Sequence, residues 1–239
     1  MDAVQIGHLP LEDRLRHDRY TVWEPALKEA LGQGKDVEPV LVRCLQGADG
    51  FKTVLIAAAL GDLRGHGPGD QALRELALLS GPKTADIRCA SVLALAKRLG
   101  GEATPDLLVG LSSSTSAVKE YALTCLAAVG DGQGWDEVFD WLAKRLRQTS
   151  KVRYGRTSPT VHAIDYLVRH LGDDGGRKVR LVELLRKRFD QTSVDDEGWI
   201  RETWPELMSN DKAATVPLPG TSRLLDWSRN PLFSARATT

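Results

Sequence analysis

Three stretches of the sequence share one helical pattern of apolar and small residues. "FKTVLIAAALG", "IRCASVLALAKRLG" and "VKEYALTCLAAVG" begin at residues 51, 87 and 118, and each opens with an apolar residue followed by a basic one. The residues 4, 7 and 8 positions later are small or apolar, and each stretch ends on a glycine. Such offsets lie on one side of an α-helix. The small side chains predict that these helices lie close to other helices on more than one side.

Another helix is predicted before each of these stretches. "VEPVLVRCL", "QALRELALLS" and "TPDLLVGLSS" space their apolar residues as helices do, and the patterned helices start 36 and 31 residues apart (87 − 51 and 118 − 87). Those separations are typical of a repeat built from two helices. One helix pair cannot bury its apolar side alone, whereas stacked pairs can. The sequence therefore predicts a stack of helix pairs.

Helical spacing also covers most of the remaining chain, whereas strand signals are almost absent. The predicted fold class is all-α, with about five helix pairs after an extra N-terminal helix. A helical bundle without repeats is the alternative. The predicted helices are 21–31, 36–46, 51–62, 70–80, 85–99, 104–112, 116–129, 134–147, 159–171, 176–189 and 197–207.

The patterned stretches resemble the second helices of HEAT repeats. In that family the helix often reads apolar, Arg, two variable residues, Ala, two variable residues, Ala, Leu. The resemblance is clearest over residues 36–147, and it implies a right-handed α-α superhelix that binds partners on its concave face. Further on, "TVHAIDYLVRHLGD" keeps the helix, but Asp165 replaces the small residue. The matching residues are Ile87, Arg88, Ser91, Ala94 and Leu95, then Val118, Lys119, Ala122, Cys125 and Leu126.

A change in composition near residue 208 divides the chain. Residues 1–208 are predicted to form the HEAT-like domain. Residues 209–239 contain three prolines and no long helical period, so an irregular tail is expected. The tail either packs on the last repeat or docks a partner, because it still carries the large apolar residues Leu224, Leu225, Trp227, Leu232 and Phe233.

Composition excludes several classes of protein. Lys+Arg and Asp+Glu are both 32, so the chain is formally neutral and is not a general polyanion binder. Its three cysteines are well separated, which argues against a disulfide framework and against a cysteine-based zinc site. No metal site or cofactor motif is predicted. The start of the sequence shows no signal peptide and no apolar run reaches membrane length, so a cytoplasmic protein is expected.

Positive charge is concentrated in one region. Residues 141–190 contain 13 basic and 5 acidic residues, an excess of +8 (13 − 5). Such a region either contacts phosphates, with a tyrosine stacking on a base, or is a solvated surface. The candidate basic patch consists of Arg145, Arg147, Lys151, Arg153, Tyr154, Arg156, Arg177, Lys178 and Arg180.

"GWDEVFDWLAKRL" supplies a candidate aromatic and acidic face with Trp135, Asp136, Asp140 and Trp141. The two carboxyls are four residues apart, so they share a helix side. Paired carboxyls perform acid–base chemistry when burial separates their pKa values, although acids near a helix N-terminus are usually structural. Together with the basic region, this stretch is similar to AlkD-type DNA glycosylases, which are HEAT-like and hold DNA near Trp and Asp side chains. No catalytic residue is assigned from that similarity.

The favoured interpretation is a non-enzymatic module that binds a protein partner on a preformed concave surface. The alternative is a nucleic-acid-binding protein, including an AlkD-like glycosylase. Two smaller predictions accompany these. His162 and His170 are expected at the surface or its boundary, and "GHGPGD" (65–70) is expected to be a turn in which Asp70 is a helix N-cap.

Overall fold

A computed structural model describes residues 9–147, 158–173, 175–188 and 194–207. Within these ranges all regular structure is helical, which confirms the predicted all-α class, and no helix there is long and apolar enough to cross a membrane. The α-helices are α1 (Leu11–Arg16), α2 (Tyr20–Gly32), α3 (Glu38–Cys44), α4 (Gly50–Asp62), α5 (Pro68–Ala77), α6 (Ala85–Leu99), α7 (Thr104–Leu111), α8 (Ser116–Val129), α9 (Trp135–Arg145), α10 (Pro159–Arg169), α11 (Gly175–Arg188) and α12 (Val194–Thr203).

The predicted helices correspond closely to the observed ones. α6 and α8 have the predicted bounds, and most other helices differ from prediction by one to three residues at an end. α1 was not predicted, because six residues are too few to display a helical period. Short 3₁₀ turns also connect helices, at Gly34–Val37, Pro82–Thr84, Gly100–Ala103, Gly132–Gly134 and Pro205–Leu207.

The chain forms two compact units, and the boundary between Ala122 and Leu123 falls inside α8. The described part of the first unit contains α1 to α7 and the start of α8. The described part of the second contains the end of α8 and α9 to α12. The predicted tail, residues 209–239, lies outside the described residues.

Two of the patterned helices, α4 and α6, pack against each other in the first unit. A Cβ atom on Gly61 would lie 2.8 Å from the Cα of Ala94, so the two backbones approach as closely as glycine permits. Ala57, Ala58 and Ala90 are also fully buried. The small residues therefore do what the sequence predicted, because they allow these helices to contact neighbours on several sides.

The basic residue that follows the first apolar position of the pattern has a common role in α4 and α6. The Lys52 ammonium donates to the carbonyl of His17, which directly follows α1, at 3.1 Å. The Arg88 Nε donates to the carbonyl of Ala77, the last residue of α5, also at 3.1 Å. Carbonyls at helix C-termini lack intrahelical partners and carry partial negative charge. A cation at this position therefore fastens the end of an earlier helix to the patterned helix.

Arg98 of α6 connects four helices through its buried guanidinium. It pairs with Glu38 of α3 and Asp70 of α5. It also donates to the carbonyls of Leu60, at 3.0 Å, and Leu63, at 2.6 Å, at the end of α4. Removing a charge from water is costly unless it is paired and hydrogen-bonded, and here the partners come from three different helices or their ends. Arg98 thus fixes how α3, α4 and α5 meet α6.

The turn 65–70 is fixed by the same polar cluster. Asp70 is the third residue of α5 rather than its N-cap, which corrects the prediction. Its carboxyl reaches back to the backbone N–H of Gly67 at 3.2 Å, as an acidic third residue does in a capping box. The Glu38 carboxyl accepts from the N–H of Gly69 at 2.6 Å, and the Lys35 ammonium lies 2.9 Å from the same carboxyl.

In the second unit, α10 packs against α9 and α12. The Trp135 indole of α9 donates to the carbonyl of Leu167 at 3.0 Å. The Tyr166 hydroxyl accepts from the N–H of Gly134 at 3.1 Å and donates to the carbonyl of Asp131. α10 therefore fixes both the turn before α9 and the first residue of that helix.

Replacing Gly61 tests the contact between α4 and α6. Gly61→Ala should destabilise the fold by about 1–3 kcal/mol, because its Cβ would collide with the backbone of Ala94. Gly32→Ala is the matched control, since Gly32 also ends a helix but has free space around it. Urea unfolding should show a lower midpoint for the first variant and an equal or higher midpoint for the second. Equal midpoints would contradict the close approach.

Removing the Arg98 charge tests the connection between helices. Arg98→Met should cost about 3–5 kcal/mol in unfolding free energy, because it leaves buried carboxyls without their cation. Arg74→Met breaks the ion pair with Asp106, in which the arginine side chain is 41% exposed, and should cost about 1 kcal/mol or less. If denaturant unfolding gave similar losses of free energy for the two variants, the buried Arg98 cluster would stabilise the fold no more than an exposed ion pair does.

Candidate functional site

The predicted aromatic and acidic face separates into buried and exposed parts. Trp135 is completely buried, and its ring stacks on Phe139 with centroids 5.1 Å apart. Asp136 and Asp140 are both exposed, and Trp141 is half-buried. Both carboxyls are therefore open to water and lack the burial on which acid–base chemistry by paired carboxyls depends. Trp135 is a core residue and is not available to stack on a ligand.

Two of the predicted basic residues lie against this group. The guanidinium groups of Arg177 and Arg180, on α11, lie 5.1 Å and 5.0 Å from the centroid of the Trp135 ring. Arg180 also lies 4.6 Å from the centroid of Phe139 and forms a 2.8 Å ion pair with Asp136. Cation–π contacts of this kind stabilise by about 0.5–1 kcal/mol at exposed sites. The structure therefore brings Trp135, Asp136, Arg177 and Arg180 together as packing between α9 and α11.

The other predicted basic residues are distributed differently. Arg147 and Lys178 are exposed, and Arg145 is half-buried. The exposed side of α11 also carries Arg186 and Lys187, and Glu183 lies between Arg180 and Arg186 in sequence. The loop residues Lys151, Arg153, Tyr154 and Arg156 lie outside the described residues, so the predicted patch is described only in part.

A buried polar pair on α10 was not predicted as a site. His162 is 7% exposed and Asp165 is completely buried, so the prediction of a surface or boundary histidine is wrong for His162. The Nδ1 atom of His162 and the Oδ1 atom of Asp165 have no hydrogen-bond partner, while the other carboxyl oxygen of Asp165 accepts from Arg169 at 2.9 Å. The sequence signal was Asp165 itself, which occupies the position where the repeat pattern expects a small buried residue.

Burial shifts the two ionisation equilibria in opposite directions. Desolvation lowers the pKa of His162 to about 4, because the cationic imidazolium is disfavoured away from water. Desolvation raises the pKa of Asp165 to about 6, although nearby Arg169 opposes that shift. The pair is a feature of the interior, since the packed side of α10 contains it.

His170, at the end of the same helix, is half-buried. Its Nε2 atom lies 3.0 Å from the carbonyl of Gly130, and desolvation lowers the pKa of the ring. That contact places His170 against the turn between α8 and α9, and its partial exposure confirms the predicted boundary position for this histidine.

Exposed apolar side chains form a second group that was not predicted. Leu78 directly follows α5 and is 65% exposed, and Val109 on α7 is 54% exposed. Leu78 lies about one turn after Arg74, and Val109 lies about one turn after Asp106. Arg74 and Asp106 form an ion pair with an Nε to Oδ1 distance of 3.0 Å. Short connections make consecutive helices antiparallel, so α5 and α7 run in the same direction. Because the ion pair joins α5 to α7 about one turn before each of these residues, we infer that Leu78 and Val109 lie on neighbouring parts of one surface, called here the Leu78–Val109 surface.

No metal centre is present in the part of the chain that the structure describes, because no three suitable ligands come together there. The cysteines Cys44, Cys89 and Cys125 are buried and form no disulfide with one another. Burial raises the pKa of Cys89 to about 12, which keeps it a neutral thiol and a poor metal ligand.

No protein-family model matches the chain, and no curated protein sequence matches it significantly.

The His162–Asp165 pair predicts a specific dependence of stability on pH. Between pH 6 and pH 4, the unfolded chain protonates His162 while the folded protein does not, so this histidine destabilises the fold as pH falls. Over the same range the folded protein protonates Asp165 while the unfolded chain does not, so this carboxyl stabilises the fold as pH falls. The two contributions nearly cancel in the wild-type protein.

Removing either group should reveal the other. Asp165→Asn should lose about 2 kcal/mol of unfolding free energy, relative to wild type, when pH falls from 6 to 4, and His162→Gln should gain a similar amount. Denaturant unfolding at several pH values measures both. Asp140→Asn, which removes an exposed carboxyl, serves as the control. Parallel pH profiles for all four proteins would show that the buried pair does not titrate as described.

Proposed function

We propose that this protein is a HEAT-type solenoid that works as a non-enzymatic interaction module for a protein partner. The observation that carries the proposal is the exposure of Leu78 and Val109, each about one turn beyond an ion pair that joins two successive helix pairs. Grouped exposed apolar residues, in contrast to isolated ones, characterise protein interaction sites.

The packing of the first unit supports the solenoid. α4 packs on α6, and α3 packs on α5, so corresponding helices of successive pairs contact each other. Gly110 of α7 is close to both Val92 of α6 and Ala122 of α8, so α7 packs against the patterned helix before it and the one after it. A stack in which each pair contacts its neighbours is the arrangement of helical-repeat proteins.

Burial indicates which helices contact the partner. From Ile87 to Leu99, every residue of α6 except Arg88 and Lys97 is buried, so this helix offers little free surface. The sequence placed the partner on the concave face, which second helices such as α6 line in HEAT proteins. We instead place the apolar anchor of the interface at Leu78 and Val109, which α5 and α7 present.

The surface suits a preformed mode of binding. The Arg74 guanidinium contacts both carboxyl oxygens of Asp106, at 3.0 and 3.1 Å, which fixes α5 against α7 before any partner arrives. A surface that is already ordered loses little conformational entropy on association. The ion pair also supplies polar atoms at the edge of the apolar anchor, and interfaces commonly have an apolar centre with a polar rim.

Nucleic-acid binding is the second candidate function. The observation in its favour is the exposed side of α11, where Lys178, Arg180 and Lys187 accompany one acid, Glu183. Clustered cations bind phosphates without reading bases. The pairing of Arg180 with Asp136 and the burial of Trp135 weaken this candidate, because they engage one cation and remove the nearest tryptophan from base stacking. No residue is proposed as a glycosylase catalyst.

Affinity capture with matched variants tests the proposed function. The tagged full chain should retain specific proteins from an extract of its source organism, and the Leu78→Ser/Val109→Ser variant should lose them, because both apolar anchors are removed. The control is Val179→Ser, since Val179 is 56% exposed and Val109 is 54% exposed. The control should retain the same proteins as wild type.

Treatment of the extract with nuclease separates the two candidates. Retention that survives nuclease and depends on Leu78 and Val109 supports protein binding. Retention that disappears with nuclease, or that falls steeply with salt, favours nucleic acid. Equal retention by all three chains would refute the Leu78–Val109 surface as the binding site.

A further inference from the structure

A second exposed apolar group lies at the beginning of the described chain. Tyr20, at the start of α2, is 52% exposed, and Phe51, at the start of α4, is 59% exposed. Their ring centroids are 6.3 Å apart, and both rings contact the buried Trp23, with centroid distances of 5.1 and 6.2 Å. These three rings are called the aromatic patch.

Phe51 is exposed at a position that the other repeats bury. It is the first residue of the repeat pattern, where Ile87 is 8% exposed and Val118 is completely buried. Among the described residues, nothing buries the first apolar residue of the pattern at Phe51, whereas the equivalent residues Ile87 and Val118 are buried. Phe and Tyr rings carry a large apolar area, so covering them is favourable.

The aromatic patch is held firmly and is bordered by negative charge. The buried Lys52 lies 5.5 Å from the centroid of the Trp23 ring and donates to the carbonyl of His17, so the turn before α2 is fixed against α4. Asp18 and Asp49 are exposed beside the patch in sequence, where Arg19 is the exposed cation and Lys52 is buried. A segment with apolar residues between cations would complement this surface.

The chain itself contains such a segment. The described structure ends at Leu207, and 32 residues follow (239 − 207). Within them, "RLLDWSR" (223–229) places two leucines and a tryptophan between Arg223 and Arg229. Leu224 is 17 residues beyond Leu207 (224 − 207), and an extended chain of that length reaches about 55 Å, which exceeds the width of a domain of this size.

We propose that the segment 223–233 of the same chain docks on the aromatic patch, with Leu225 and Trp227 covering Tyr20 and Phe51. The segment gains a site for its apolar side chains, and its two arginines face the acidic border of the patch. This docking is independent of the Leu78–Val109 surface, so either proposal stands if the other fails.

Photo-crosslinking in the full chain tests the docking. Phe51 is replaced with p-benzoylphenylalanine, an aromatic residue that bonds to neighbouring groups on illumination, and the products are mapped by mass spectrometry. The expected product is an intramolecular link from position 51 to residues 223–233. The same replacement at Val109 is the control and should give no link to that segment.

Each other outcome overturns the proposal. A mixture of isotopically light and heavy chains distinguishes intramolecular from intermolecular links, and a link between two chains would assign the patch to a second copy. Links only to other residues of the chain, or to a separate protein, would assign it to a different occupant. The absence of any link from position 51 would show that nothing covers the patch.

Substitution in the segment provides a second readout. Leu225→Ser/Trp227→Ser should reduce the intramolecular link about tenfold, because both apolar contacts are lost. Leu218→Ser, outside the segment but in the same part of the chain, should leave the yield unchanged. An equal yield from both variants would refute the specific contact even if a link forms.

Discussion

The close approach of α4 and α6 is the constraint on which the described structure of the first unit depends. Their backbones meet where Gly61 lies against Ala94, and side chains larger than alanine would separate them. α6 also contacts α5, α7 and the turns at its two ends. It therefore needs small side chains on several of its sides. This requirement explains why the repeat pattern includes alanine, serine and glycine, and why those residues are buried although they contribute little apolar area each.

Close packing of small residues leaves the orientation of the helices weakly specified, and buried charge specifies it. Arg98 donates to groups from three helices or their ends, and each of its partners has a fixed direction. The hydrogen bonds of a guanidinium have fixed directions, so they favour one orientation of α3, α4 and α5 over similar orientations. Contacts between alanines do not make that distinction. Arg74 performs the same task at the surface, between α5 and α7, and there the apolar side chains of Leu78 and Val109 remain in contact with water.

Sequence reasoning predicted the helices well because their signals are local. The spacing of apolar residues and the glycine stops fixed α6 and α8 to the residue. The polar interior was harder to predict, since Arg98 is paired with Glu38, 60 positions away in sequence.

The candidate site was predicted in part. The residues Trp135, Asp136, Arg177 and Arg180 do come together, but the sequence could not show that the arginines cover the tryptophan. Exposure depends on neighbours from other helices, and the exposed Phe51 has the same pattern position as the buried Ile87 and Val118.

The second unit deviates from the repeat pattern in its interior. Where α4, α6 and α8 carry a small or apolar residue, α10 carries Asp165, and a buried carboxyl with one unpartnered oxygen is costly. Arg169 offsets part of that cost, and protonation offsets more, because burial raises the carboxyl pKa. His162 on the same helix has the opposite response to protons, so the pair occupies the interior with little net sensitivity of stability to acid.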